Sequence, residues 1–253
     1  MKKLKLGELL LNRGFVSSID DAKRIIMANE VLVNDEPIDK PGTLCDAKSR
    51  IRIKNKRAFV SRGGDKLFSF FNDVQFDVSN KACIDVGMST GGFTDVLLRS
   101  GASHVLGIDV GYGILDYQLR KNTKVSLLER TNAREVTKKE VSDALGKFYL
   151  IPGDIQCVVM DVAFISVFKI LPNLISIFNK NVDYIILIKP QFECEKHLIE
   201  TGGVITNIDS INETLKRVEH QFDHLSFRIQ HHSASKFKGA KGNQEFFYYV
   251  NLD

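Results

Sequence analysis

Two apolar runs in this chain each end in a charge: Asp161 follows Cys157-Val158-Val159-Met160, and Lys189 follows Ile185-Ile186-Leu187-Ile188. A charge at the end of a buried strand is costly unless it is paired or put to use. Lys66, on a helix expected over 62–71, and Glu245, at the start of a late strand, complete a set of two cations and two carboxylates. Such a set can orient a hydroxyl and share its proton, or it can be a structural salt-bridge cluster; the four residues alone allow both. Beside them stands the loop Asp85-Val86-Gly87-Met88-Ser89-Thr90-Gly91-Gly92-Phe93. Glycines between a strand and a helix let the backbone approach a ligand at the helix N-terminus, although a tight turn without a ligand has the same look. The spacing is GxxxGG, not GxGxxG, and no Gly-Lys-Ser/Thr follows, which argues against a phosphate-cradling loop. Asp109 ends the next apolar run about 20 residues on, where an acid can accept hydrogen bonds from a ribose diol. An adenosine-containing ligand is expected.

The elements that must hold these residues alternate. Strands are expected over 82–86, 105–109, 125–129, 157–161 and 184–188, and most are continuous apolar runs, as in a parallel sheet covered by helices on both faces. In such a sheet the carboxyl ends of the strands line one crevice, which is where Asp85, Asp109, Asp161 and Lys189 fall. Two last strands, 227–231 and 245–250, have no helix between them and read as an antiparallel closing pair. The fold class is therefore α/β, Rossmann-like, mostly parallel with an antiparallel last strand.

A smaller α+β module precedes it. Leu6, Leu9 and Leu10 have helical spacing that ends at Gly14, Ser17-Ser18 and Asp20-Asp21 supply caps for a second helix, and Ala22, Ile25 and Ile26 form its apolar stripe. Short extended pieces follow at 31–33 and 51–53, with a turn at Asn34-Asp35-Glu36-Pro37. The expected domains are 1–56 and 61–253, joined by a stiff connection at 57–60.

Charge divides along the same line. Residues 1–60 carry 13 Lys and Arg against 8 Asp and Glu, and the rest 22 against 23, so the positive excess belongs to the first module and suits a polyanionic partner. The chain is 43% hydrophobic and 26% charged, enough for a sizeable core and no sign of disorder. Its longest apolar runs are about five residues against the ~20 of a membrane span, and no signal peptide is recognisable, so a soluble, cytoplasmic protein is expected. Four scattered cysteines with no CxxC pair read as reduced thiols, not a zinc or disulfide framework; no metal site is expected.

Two sets of motifs carry a resemblance. Lys5-Leu6-Gly7-Glu8-Leu9-Leu10, Asp21-Ala22-Lys23-Arg24-Ile25-Ile26, Val31-Leu32-Val33-Asn34 and Pro41-Gly42-Thr43 are similar to the αL RNA-binding domain of the ribosomal-protein-S-four type. That resemblance implies phosphate contacts for Lys5, Arg13, Lys23 and Arg24. The glycine loop through Thr94, then Asp109-Val110-Gly111-Tyr112-Gly113, Glu129-Arg130-Thr131-Asn132-Ala133-Arg134, Asp161-Val162-Ala163-Phe164-Ile165-Ser166, Lys189-Pro190-Gln191-Phe192-Glu193 and Lys241-Gly242-Asn243-Gln244-Glu245-Phe246 together resemble the TlyA family, which joins such a domain to an FtsJ-like methyltransferase. One departure is Ala163, where a serine is the expected residue.

The resemblance implies S-adenosylmethionine as cofactor, held by Asp85, Gly87, Ser89, Thr90, Gly91, Gly92, Phe93, Asp109, Asn132 and Asp161. It implies a catalytic tetrad of Lys66, Asp161, Lys189 and Glu245 that transfers methyl to a ribose 2′-hydroxyl, with Lys189 nearest the hydroxyl and Asp161 orienting it. The substrate implied is a cytidine ribose of small- or large-subunit ribosomal RNA, within assembled subunits, with no membrane and no obligate protein partner. Two alternatives stay in view: an RNA-binding protein without catalysis, and a membrane-active haemolysin, a label carried by many family members.

Overall fold

The computed structural model describes residues 3–54, 58–178 and 181–252. They fall into two compact units, 1–57 and 58–253. In the first, β1 (Lys3–Lys5) leads into α1 (Leu6–Asn12), followed by α2 (Ile19–Met27), β2 (Val31–Val33), β3 (Glu36–Pro37), β4 (Leu44–Asp46) and β5 (Ile51–Ile53). The Ser18 hydroxyl accepts the Asp21 N–H at 3.1 Å and so starts α2. Leu6, Leu9 and Leu10 then meet Ala22, Ile25 and Ile26 over Val31, Val33 and Cys45. β2 pairs antiparallel with β3 and β5, and β1 with β4. The expected turn narrows to Asn34 and Asp35, both left-handed at φ 51° and 71°, the residue types that a two-residue hairpin loop favours.

The second unit runs α3 (Arg62–Val74), β6 (Ala82–Val86), α4 (Gly92–Arg99), β7 (His104–Ile108), α5 (Tyr117–Lys121), β8 (Val125–Leu128), α6 (Lys138–Gly146), β9 (Ile155–Met160), α7 (Leu171–Ile177), β10 (Asp183–Ile188), α8 (Pro190–Glu193), α9 (Ile208–His224), β11 (Phe227–Ala234) and β12 (Phe246–Leu252). Its sheet has the order β11-β12-β10-β9-β6-β7-β8. The pairings from β10 to β8 are parallel, and β12 is antiparallel to both of its neighbours. The chain winds outward from β6 in one direction and from β9 in the other, so the switch point lies between them and opens a crevice at their carboxyl ends.

The apolar runs are continuous because alternate residues serve two cores. Ile84, Val86, Val158, Met160, Ile186 and Ile188 pack with α6, α7 and α9 on one face. Cys83, Val105, Cys157, Val159, Ile185 and Leu187 pack with Leu67, Phe70, Phe71 and Phe93 of α3 and α4 on the other. The expected connection at 57–60 includes residues that pack onto the second unit. Arg57 lies outside the described residues, but Phe59 is buried in the second core and the Val60 N–H donates to Asp95 at 3.0 Å. Ala58, Phe59 and Val60 close a polar run with three apolar residues, and Phe59 and Val60 pack against the second unit's cores.

Candidate functional site

Three adjacent strands deliver three of the four charged residues. Asp161 and Lys189 each lie one residue past the end of β9 and β10, and Glu245 one residue before β12. Ile188 pairs with Phe246 across the antiparallel ladder, which puts Lys189 and Glu245 side by side as its next members. Lys66 comes from the first turns of α3. Its Nζ lies 2.5 Å from Glu245 Oε2, with side chains only 9% and 4% exposed. Lys189 Nζ lies 2.6 Å from Asp161 Oδ1, with 13% and 22% exposure. The four thus form two cation–carboxylate pairs, one closed off and one reachable from the crevice.

The glycines explain how α3 and the loop after β6 come so close to these pairs. A Cβ on Gly64 would sit 3.0 Å from the Gly92 carbonyl oxygen, and one on Gly92 would sit 2.8 Å from the Gly64 nitrogen. A Cβ on Gly87 would lie 2.5 Å from the Asp161 carbonyl oxygen, and Gly87 is left-handed at φ 80°, a conformation glycine adopts without penalty. The Asp161 N–H donates to the Val86 carbonyl at 3.0 Å. The glycine loop and the Lys189–Asp161 pair are therefore built against each other.

Asp85 is fully buried. One carboxylate oxygen accepts the Thr94 hydroxyl at 2.6 Å, and the other, Oδ1, is buried with no hydrogen-bond partner among the described residues. Burial pushes its carboxyl up to about 7, assisted by the charges of Asp161 and Asp109 and opposed by Thr94. A buried acceptor left open beside a glycine loop fits a cationic ligand group. The remaining loop residues divide. Ser89 and Thr90 are exposed and Gly91 and Gly92 buried, while the Phe93 ring is given to the core, where it stacks against Phe247 at 6.2 Å. Phe93 thus offers the crevice its backbone and not its ring, because it alternates onto the apolar side of α4.

Asp109 has a second employment. Its two oxygens accept the Ser89 N–H and the Gly111 N–H, each at 2.7 Å, tying the loops after β6 and β7 together. Each oxygen keeps lone-pair capacity for a further donor. Asn132 is exposed in the loop after β8, where its Oδ1 accepts the Arg134 N–H at 3.1 Å. Tyr112 and Tyr117, on the segment after Asp109, are 65% and 55% exposed. Arg130 and Lys121 lie over their rings at 4.2 and 4.4 Å.

Phe164 lies within a family-like motif, but the sequence alone gives it no task. It is 91% exposed and left-handed at φ 65°, which costs a non-glycine residue about 1–3 kcal/mol unless its surroundings enforce it. Its ring meets Phe192 at 5.4 Å. An aromatic three residues after a strand-end acid is the signal the sequence holds; its exposure appears only in the fold. Thr94 was also quoted without a role; only the folded chain turns its hydroxyl onto Asp85.

In the first unit, Lys5 is exposed on β1. Lys23 and Arg24 stand 54% and 56% exposed, paired with Asp20 and Asp21 at 3.0 and 3.6 Å. Surface pairs of this kind hold by roughly 0–1 kcal/mol and exchange readily for another anion. Arg13 is partly committed: its guanidinium donates to the carbonyls of Ser49 and Ala47 at 2.7 and 2.6 Å, leaving three of its five N–H donors for other acceptors.

Comparison with known proteins gives a consistent result. Residues 59–252 match the family described as FtsJ-like methyltransferase, and residues 5–51 match the S4 domain. Over 251 residues the chain is 34% identical to the 16S/23S rRNA (cytidine-2′-O)-methyltransferase TlyA of Mycobacterium tuberculosis, covering 98% of this chain and 90% of that protein. It is equally 34% identical to Hemolysin A of Brachyspira hyodysenteriae, covering 96% and 98%. A Streptococcus thermophilus protein of solved structure, whose description also carries the hemolysin name, superposes with a TM-score of 0.74 at 32% identity, covering 100% of this chain and 90% of that one. An S-adenosylmethionine dependent methyltransferase from Mesorhizobium loti shares the fold at 12% identity, with a TM-score of 0.51 and coverage of 73% and 96%. Among the described residues no helix is long and apolar enough to cross a membrane.

Proposed function

The chain belongs to the FtsJ-like methyltransferase family, with an S4 domain ahead of the methyltransferase unit, and on that premise we propose that it is an S-adenosylmethionine-dependent ribosomal RNA 2′-O-methyltransferase. The target is a cytidine ribose of small-subunit or large-subunit RNA, met in the cytoplasm within assembled subunits. The observation that carries this reading is the pair of ion pairs Lys66–Glu245 and Lys189–Asp161 built against the glycine loop. When bound, the cofactor supplies a methyl group made electrophilic by its sulfonium. Asp85, the 87–92 backbone and Asp109 are the residues to hold it, with Asp85 Oδ1 as acceptor for its ammonium and Asp109 for its ribose.

The chain's own side chains then act on the nucleophile. A ribose hydroxyl attacks poorly while it keeps its proton, so a nitrogen within hydrogen-bond reach that accepts or shares it lowers the barrier. The Lys189 nitrogen takes that place, acting as the free amine, since its pair with Asp161 is the less buried of the two. Asp161 orients it, and the closed Lys66–Glu245 pair fixes the far side of the ribose. Held alignment supplies much of the rate, because effective molarities in well-oriented reactions are large. The exposed Phe164 ring and the Tyr112 and Tyr117 rings offer flat faces to unstacked bases, as sequence-bearing RNA contacts use. The positive excess of the first module adds phosphate affinity.

Labelled S-adenosylmethionine incubated with separated small and large subunits, and with the deproteinised RNA of each, tests this reading. Label entering RNA of at least one subunit is expected; no label in any of the four samples would overturn it.

A pH effect follows from Asp85. Its carboxyl, raised to about 7 by burial, is largely protonated below that value. An ammonium placed beside it favours the charged form, so binding expels the proton and affinity rises with pH while the carboxyl titrates. The dissociation constant is expected to fall about tenfold from pH 5.5 to 6.5, and Asp85→Asn to flatten the profile. Calorimetry in buffers of different ionisation enthalpy checks both; a flat wild-type profile would contradict the assignment of Asp85.

A further inference from the structure

We propose that Glu193 is a positioning residue for methyl transfer, fixing the turn at 161–167 so that Phe164 is presented at the mouth of the crevice. This rests on the function proposed above. The segment from Lys189 through α8 touches that turn at three points: Lys189 pairs with Asp161 at its start, at 2.6 Å; the Phe192 ring meets Phe164 at its middle, at 5.4 Å; and Glu193 Oε1 accepts the Val167 N–H at its end, at 2.9 Å.

The third point is the one the reaction does not account for. Glu193 Oε2 is buried without a hydrogen-bond partner among the described residues, and burial pushes the carboxyl up to about 7 against the pull of the Ser166 hydroxyl, the Val167 N–H and the Lys169 charge. A carboxylate kept in such a place against its solvation preference is there for the acceptor it provides. What it accepts from is the first residue of a short 3-10 turn, Val167–Lys169, whose N–H has no partner within that turn. Between this anchor and Asp161 lies Phe164, in a left-handed conformation at φ 65° and 91% exposed. Apart from its contact with Phe192 the Phe164 ring is exposed, so its direction depends on that contact and on a backbone held at Asp161 and at Val167.

Three variants of the full chain separate this role from a general structural one. Glu193→Ala removes the acceptor. Glu193→Gln keeps an acceptor and removes the charge. Val167→Pro removes the donor from the other side, at the first position of a helical turn where proline is tolerated and after Ser166, whose ψ of 136° suits a following proline. Single-turnover methyl transfer is expected to fall at least tenfold in Glu193→Ala and in Val167→Pro, with the cofactor dissociation constant within about twofold of wild type, and to return to within about threefold in Glu193→Gln. The chain has no tryptophan, so Phe164→Trp supplies a single reporter in the protein without RNA. Its fluorescence anisotropy is expected to drop when Glu193→Ala or Val167→Pro is added and to hold when Glu193→Gln is added. Should wild type transfer no methyl, the function fails while the reporter still reads the clamp. Wild-type rates in both Glu193→Ala and Val167→Pro, a Glu193→Gln variant as slow as Glu193→Ala, or an anisotropy indifferent to all three would overturn the proposal.

Discussion

Replacing Lys189 by alanine is expected to abolish methyl transfer while leaving the cofactor in place. The side chain stands one residue past β10, 2.6 Å from Asp161, and the loops that would hold the cofactor follow β6 and β7. Loss of a positioned proton acceptor costs about 10²–10⁴ in rate, and the paired Asp161, left without its cation, loses the partner that holds it in register. Single-turnover rates with saturating cofactor should fall by about 10³, with the cofactor dissociation constant within about threefold of wild type. The fold should persist, because both groups of this pair retain some exposure, 13% and 22%. The corresponding change in the closed pair is a poorer test, since an unpartnered Glu245 at 4% exposure threatens folding by about 3–5 kcal/mol. Turnover unchanged in Lys189→Ala would remove the catalytic assignment of all four residues.

Gly87→Ala attacks the same site from the cofactor side. The position has φ 80°, and the added methyl would lie 2.5 Å from the Asp161 carbonyl oxygen, which is backbone and has little room to retreat. A left-handed non-glycine residue costs about 1–3 kcal/mol and overpacking a tight site a further 1–3 kcal/mol or so. The strain relaxes most easily by parting the loop after β6 from the turn after β9, which spreads the crevice. A loss of about 2 kcal/mol from cofactor binding is roughly a thirtyfold rise in dissociation constant. Thermal unfolding and cofactor titration on the same sample check both effects. Gly146→Ala is the control: at the end of α6 an added methyl meets no atom within 4 Å, and neither stability nor affinity should drop.

How much of this was legible before the fold was known depends on the range of the interaction. Strands β6, β9 and β10 could be read from their apolar runs because burial on both faces leaves a local signature, and the antiparallel closing pair from the missing helix before β12. The charges at their ends were readable for the same reason: a charge that directly stops an apolar run stands out. Lys66 and Glu245 had no such mark: they could be set beside the other two from the sequence, but their pairing at 2.5 Å joins residues far apart in the chain, and their role came only with the resemblance. Asp109 looked like a ligand residue, and its other task, receiving the Ser89 and Gly111 amides, depends on loop backbone directions that no residue pattern encodes. Phe93 looked like part of the loop because it is contiguous with it; helix α4 turns its ring inward. Phe59 shows the converse, an apolar residue in a polar stretch that joined the nearest core. Glu193 was quoted only as part of a motif, and its place became visible when α8 was seen to anchor the turn beside it.

Transfer to ribose and transfer to a base leave different products, and the product is directly readable. After reaction with labelled S-adenosylmethionine, the RNA of the modified subunit is digested to nucleosides and the label located by mass spectrometry. A 2′-O-methylated ribose on cytidine is expected, absent when Lys189→Ala replaces wild type and absent when the target nucleotide is 2′-deoxy. A methyl group on a base, or label retained on the 2′-deoxy target, would contradict it.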